Sequence, residues 1–218
     1  MDFTTKTAHV IGNENASGDV SIPRSIKYQT HDFIVKSLKK ESFMHLKTIK
    51  SVIFPSDSEV VSIEKDAFTD SSLEYLFISS SISELQDGWC RETPNLNEIR
   101  IAPNNTIFIY LNNMMILGKV DIKEDDYNKL IFINRNTENV LIPSFITCIA
   151  QYSFSNCLIE KISIPPNITN IGEGAFYNCI NLKEVEFHPD SKLSYLEKLT
   201  FLKTSIKQIC LPTTITLL

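Results

Sequence analysis

Apolar residues recur along this chain in a two-part pattern. The clearest copies are Ile146-Thr-Cys-Ile149-Ala-Gln-Tyr-Ser-Phe154-Ser-Asn-Cys157 and Ile168-Thr-Asn-Ile171-Gly-Glu-Gly-Ala-Phe176-Tyr-Asn-Cys179, each position displaced by 22. Both run into an apolar-x-x-apolar-x-apolar segment, Ile159, Ile162 and Ile164 after the first, Leu182, Val185 and Phe187 after the second. Pro165 and Pro189 follow within two residues. The template returns at Val35, Leu38 and Phe43, leading to Ile49, Val52, Phe54 and Pro55. It returns again at Val60, Ile63 and Phe68, leading to Leu73, Leu76 and Ile78, and at Leu193, Leu196 and Phe201, leading to Ile206, Ile209, Leu211 and Pro212. A degenerate copy has Ile82 and Leu85, then Leu96, Ile99, Ile101 and Pro103. There Cys90 takes the Phe slot and Trp89 stands one residue early, where its bulk is expected to fill the gap.

One such unit cannot bury its own apolar side, so neighbours must stack into a shared core. The second segment alternates with period two in its last part, which predicts a short strand with one face buried. Strands of successive repeats would pair in parallel about 4.8 Å apart. The first segment supplies the opposite wall, a strand-like piece followed by a turn in which 3₁₀ character is expected. Each proline falls where a strand stops, since it has no donor for the ladder. Asn104 to Asn139 is a stretch that departs from the template. Its strands are expected at Thr106–Leu111, Met114–Leu117 and Leu130–Ile133, with a tight turn at Asn112-Asn113 because Asn accepts positive φ.

Composition narrows the class. Of 218 residues, 43% are hydrophobic, enough apolar surface to exclude intrinsic disorder. The 21 lysines and arginines against 26 aspartates and glutamates leave a net charge of -5, and a nucleic-acid protein would need a basic stripe. No apolar run approaches the ~18 residues that cross a bilayer, and residues 1 to 20 hold no apolar stretch of the signal-peptide kind. The five cysteines, Cys90, Cys148, Cys157, Cys179 and Cys210, are too sparse for a disulfide framework and contain no C-x-x-C pair, so reduced thiols are expected. His9, His31, His45 and His188 lie far apart, and no zinc signature appears. H-E-x-x-H, G-x-S-x-G and P-loop motifs are absent, as is a Cys with a nearby His. Gly172-Glu-Gly174 reads as a turn between core residues. No catalytic residue, cofactor or metal is assigned, and the chain is read as no enzyme.

The segment from Ile164-Pro165 through Phe187, with Gly172-Glu-Gly-Ala-Phe176 inside it, resembles the BspA-like leucine-rich repeat family. The likeness extends over about residues 20 to 218, and Gly18-Asp-Val-Ser-Ile22-Pro23 resembles the family's opening. The fold so implied is a leucine-rich repeat solenoid of α/β type, mostly β. It would be a right-handed stack of about eight coils of about 23 residues, with a parallel concave sheet and one β-hairpin insertion. A single domain is expected, with an opening over 1–34, repeats over 35–103, the insertion over 104–139, and repeats over 140–218 that end mid-repeat. The resemblance also implies a surface antigen or adhesin that binds host or cell-surface proteins, at the cell surface or secreted. The bare N-terminus favours a different reading, an intracellular scaffold in the cytoplasm.

Outward positions of the strands line up in columns. One column reads Ile53, Phe77, Arg100, then Ser163, Glu186 and Cys210; the other reads Ser51, Tyr75, Glu98, then Lys161, Glu184 and Gln208. Ile53, Tyr75 and Phe77 would form an exposed apolar and aromatic patch with Glu98 and Arg100 at its edge, the composition of an interface anchor. The competing reading is that the insertion or the N-terminal segment covers this patch, or that the aromatics serve only to stabilise the sheet. The expected partner is a protein, with a glycan as second candidate; nucleic acid is not expected. The apolar edge at Ile215-Thr-Leu-Leu218 suggests a piece of a longer array or end-to-end self-association.

Overall fold

A computed structural model describes residues 1–12 and 14–216. They are grouped in two compact units, Met1–Thr106 and Ile107–Leu218. Leu217 and Leu218, part of the segment read as a new repeat, lie outside the described residues.

The first unit holds nine strands: β1 (Thr7–Val10), β2 (Gly18–Ser21), β3 (Ser25–Tyr28), β4 (His31–Leu38), β5 (Ile49–Ile53), β6 (Ser62–Ile63), β7 (Tyr75–Ile78), β8 (Glu84–Leu85) and β9 (Glu98–Ile101). They sort into two sheets that alternate along the chain. One runs β2-β5-β7-β9, all parallel, and the other runs β1-β4-β6-β8, with β3 turned back antiparallel on β4. Ile49, Val52, Leu76, Ile78 and Ile99 of the first sheet and Val35, Leu38 and Ile63 of the second are buried. The two-part apolar pattern is thus two facing walls of one core. Sequence periodicity did not show the β3–β4 hairpin, which turns at Gln29 with φ 54° and buries Phe33.

The second unit holds β10 (Ile109–Leu111), β11 (Met115–Gly118), β12 (Lys129–Ile133), β13 (Cys148–Ile149), β14 (Lys161–Ile164), β15 (Asn170–Ile171), β16 (Glu184–Phe187) and β17 (Tyr195–Leu196). The insertion forms the antiparallel run β10-β11-β12, turning at Asn112 and Asn113 with φ 52° and 53°. Both central residues left-handed is the hairpin turn that suits strand twist, and Asn tolerates it. β12 then pairs in parallel with β13, so the insertion opens the ladder β12-β13-β15-β17 while β14 and β16 form the facing sheet. Among the described residues there is no helix.

The turn after each short strand is not 3₁₀. Six coils each place two residues in the left-handed region, two before and two after the Phe slot: Glu41 and His45, Asp66 and Asp70, Gly88 and Glu92, Tyr152 and Asn156, Gly174 and Asn178, Leu199 and Lys203. Backbone N–H groups there alternate between two destinations. Those of Ala175, Tyr177 and Cys179 donate three residues back, to Gly172, Gly174 and Phe176; those of Gly174, Phe176 and Asn178 donate to Lys198, Thr200 and Leu202 in the next coil. A 3₁₀ helix would turn every donor inward; the left-handed residues rotate alternate donors outward and weld the coils together. Gly174 is tied to this site further, because a Cβ there would run into the Tyr152 ring of the preceding coil.

Ring stacking fills the space under these turns. Phe43 and Phe68 stack with centroids 5.4 Å apart, and Trp89 meets Phe68 edge-on at 6.3 Å. Trp89 and Cys90 are both buried, so the indole does fill the degenerate slot. In the second unit Phe154, Phe176 and half-buried Phe201 stack at 4.7 and 5.5 Å.

Candidate functional site

Strand register places the outward columns where their spacing predicts. Ser51 pairs with Tyr75, and Tyr75 with Glu98; Phe77 pairs with Arg100. Continuing the same register sets Ile53 opposite Phe77. The alternation that turns Val52, Leu76 and Ile99 into the core turns these neighbours out. Ile53 is 41% exposed, Tyr75 and Phe77 are half-buried, and Glu98 and Arg100 are exposed. The Arg100 guanidinium donates to Glu98 Oε1 at 2.9 Å and lies 5.9 Å from the Tyr75 ring centroid. That contact holds a flexible cation against the aromatic patch and leaves both charged side chains accessible.

The N-terminal segment extends this sheet instead of lying across it. β2 pairs Asp19 with Ser51 and Ser21 with Ile53. Ser51 is buried and donates to Asp19 Oδ1 at 2.7 Å. Asp19 is therefore a further acidic member of the column, one that the template could have revealed, since Val20, Ile22 and Pro23 repeat the spacing of Val52, Phe54 and Pro55.

The corresponding face of the second unit is charged. Lys161 pairs with Glu184 and Ser163 with Glu186 in register. Lys161 Nζ reaches Glu186 at 2.7 Å and Glu184 at 3.2 Å, and the Ser163 hydroxyl donates to Glu186 at 3.1 Å. The bond from Lys161, then that from Ser163, holds the Glu186 carboxyl below the usual carboxylate range. Gln208 and Cys210 fall in a segment without strand pairing, so their columns stop at β16.

The cysteines are all free thiols. Cys157 and Cys179 occupy equivalent slots, with sulfurs 3.6 Å from the Asn134 carbonyl and 3.0 Å from the Phe154 carbonyl. Burial pushes the Cys157 thiol up to about 11, and burial followed by the neighbouring Cys157 pushes Cys179 up as well. Such thiols are inert nucleophiles. Among the described residues no group of three or more His, Cys, Asp or Glu side chains could hold a metal, and no helix is long and apolar enough to cross a membrane.

One buried residue went unread in the sequence. Arg135 is only 1% exposed. It follows Leu130 by five positions as Phe154 follows Ile149, and so takes the Phe slot of the first coil in this unit. Its guanidinium donates to the carbonyls of Ser153 at 2.8 Å and Tyr152 at 3.3 Å and lies 4.5 Å from the Phe132 centroid. The aligned count could have found it; the hydrogen bonds that make a buried cation tolerable exist only in the fold.

Family models place six copies of the BspA type leucine-rich repeat region on residues 24–129 and 125–218. Solved structures agree in fold. A leucine rich cell surface protein from Faecalibacterium prausnitzii superposes with a TM-score of 0.61 at 15% identity, over 100% of this chain and 82% of that one. The pneumococcal vaccine antigen PcpA gives 0.58 at 18% identity, over 96% and 70%. A leucine-rich repeat protein from Eubacterium ventriosum gives 0.50 at 17%, over 91% and 73%. Among curated proteins nothing matches.

Proposed function

We propose, from the premise that the chain belongs to the BspA-type leucine-rich repeat family, that it is a non-enzymatic surface antigen or adhesin whose partner docks on the β2-β5-β7-β9 face. Repeat stacks of this kind present extended, preformed surfaces to other proteins. The observation that carries the reading is the patch that Ile53 and Phe77 of one column make with Tyr75 of the other, left open beside the Glu98–Arg100 pair. Aromatic and aliphatic side chains ringed by an accessible Arg are what interface centres use. Because the strands that carry them are fixed in the sheet, little conformational freedom is lost on association. The cell-surface likeness of solved relatives supports the location.

The test begins with host and cell-surface proteins captured by the immobilised chain and identified by mass spectrometry. Affinity for the identified protein is then measured with Tyr75→Ala and Phe77→Ala. Each half-buried ring, if central to the interface, is worth about 2 kcal/mol or more, roughly a thirtyfold loss. Unchanged affinity in both variants defeats the docking face. Protease shaving of intact cells addresses location separately: a fully protected chain defeats the adhesin reading in favour of an intracellular scaffold.

A further inference from the structure

The second unit carries an open groove of about 780 Å³ along the proline-ended edge of its strands. Pro143, Ile164, Pro165 and Phe187 contribute its apolar walls, and Leu141 and Cys210, from the first and last of the coils that line it, complete them. Leu141 is 84% exposed. It precedes Ile142-Pro143 as Ser163 precedes Ile164-Pro165, so it heads the same outward column as Ser163 and Glu186. Proline cannot donate to a ladder, so this edge does not invite an added strand. A ligand here would be gripped by its side chains.

Charge selects the occupant. Glu186 lines the groove, and its counter-ion Lys161 is shared with Glu184. Two carboxylates thus face one ammonium, leaving one negative charge beside an apolar wall in a chain of net charge -5. An acyl chain bearing a carboxylate would meet repulsion there, and so would a second copy of this acidic chain. We infer that the groove docks an extended peptide segment of a partner protein carrying apolar side chains beside a lysine or arginine. Apolar residues would cover Leu141 and the proline walls, and the cation would complete the charge at Glu186. None of these residues belongs to the face around Tyr75, so either site can fail without the other.

Cys210 offers a direct readout, being exposed while Cys90, Cys157 and Cys179 are buried. The rate of maleimide addition at Cys210, followed by peptide mass spectrometry, reports occupancy, and calorimetry on the unmodified chain reports affinity. The probes are an end-capped Leu-Lys-Pro-Leu-Lys-Leu peptide, its analogue with both lysines changed to glutamate, and decanoate. The lysine peptide is expected to slow modification and to bind more tightly than the glutamate peptide, by roughly fivefold for one exposed ion pair. Glu186→Gln should narrow that ratio, and Leu141→Ser should weaken the lysine peptide; both side chains are exposed, so folding is not at stake. Equal protection by the two peptides overturns the proposal, as does protection by decanoate alone or none at millimolar peptide. Protection that rises with protein concentration alone would identify a second copy and overturn it too.

Discussion

The two units solve one packing problem with different residues. In each, three coils set a large side chain under the turn and a smaller one three positions later. The first unit uses Phe43, Phe68 and Cys90 with Trp89 leaning in, followed by Leu46, Ser71 and Thr93. The second uses Phe154, Phe176 and Phe201, followed by Cys157, Cys179 and Thr204, with Arg135 in the slot before them. The backbone is the same in both, with left-handed residues on either side of the slot. Outside the core the constraint vanishes, and the outer columns are aromatic in one unit and ionic in the other. Interior chemistry is held to shape by neighbours on both sides, whereas outward chemistry answers only to solvent and partners.

The sharpest way to break this comparison is at the rings. Phe176 lies between Phe154 and Phe201 and is fully buried, so Phe176→Ala opens a cavity with ring faces on both sides. A loss of about 3–5 kcal/mol is expected. Cys90→Ala, where Trp89 already occupies most of the slot, should cost about 1 kcal/mol. Far-UV circular dichroism against urea measures both. Equal midpoint shifts would show that the stack in the second unit has no advantage over the improvised one in the first.

A milder exchange concerns the smaller slot. Ser71 is buried, and its hydroxyl has no hydrogen-bond partner, whereas the Cys179 thiol at the equivalent place points to the Phe154 carbonyl. Replacing Ser71 by Cys or Ala removes an unpaired buried hydroxyl and should add about 1 kcal/mol. The reverse change, Cys179→Ser, gives up sulfur packing for a more strongly hydrated group and should cost about 1–2 kcal/mol. Urea midpoints moving the same way for both exchanges would show that the slots are not equivalent.

What the sequence disclosed follows the same division. Leu38, Ile63, Ile149 and Ile171 could be placed because burial forces an apolar residue at each fixed step, and Asn112-Asn113 because its turn needs residues that accept positive φ. The columns through Tyr75 and Phe77 followed from period two alone. The left-handed positions beside the Phe slots went unread: Asn156 and Asn178 could have signalled them, but Tyr152 and Leu199 could not, and at Tyr152 the unfavourable residue is held by its N–H bond to Glu173 in the next coil. Arg135 broke the apolar pattern and so escaped it. The groove needed the relative placement of Leu141, Phe187 and Cys210, three coils apart, which periodicity gives only as a column and not as a wall.

The smallest expected effect tests the left-handed position itself. Asp70 of the first unit and Asn178 of the second stand at the same place in their coils, with φ 56° and 58°. Asp70 accepts from Lys47 at 2.5 Å and from His45 at 2.9 Å, and these bonds, Lys47 first, hold its carboxyl below the usual range. A lowered folded value contributes stability that is present above the ordinary aspartate pKa. It is lost as the pH falls through the folded value, below about pH 4. The side chain is 39% exposed, so solvent screening keeps the contribution within about 0.5 kcal/mol. Asp70→Asn brings in the residue of the second unit, keeps the tolerance for positive φ and removes the charge. The variant should unfold at slightly lower urea than the parent at pH 7, and the gap should narrow as the pH is taken below about 4 and the parent's own carboxyl takes up its proton. A gap that stays constant across that range would place the difference in the backbone turn and not in the ion pair.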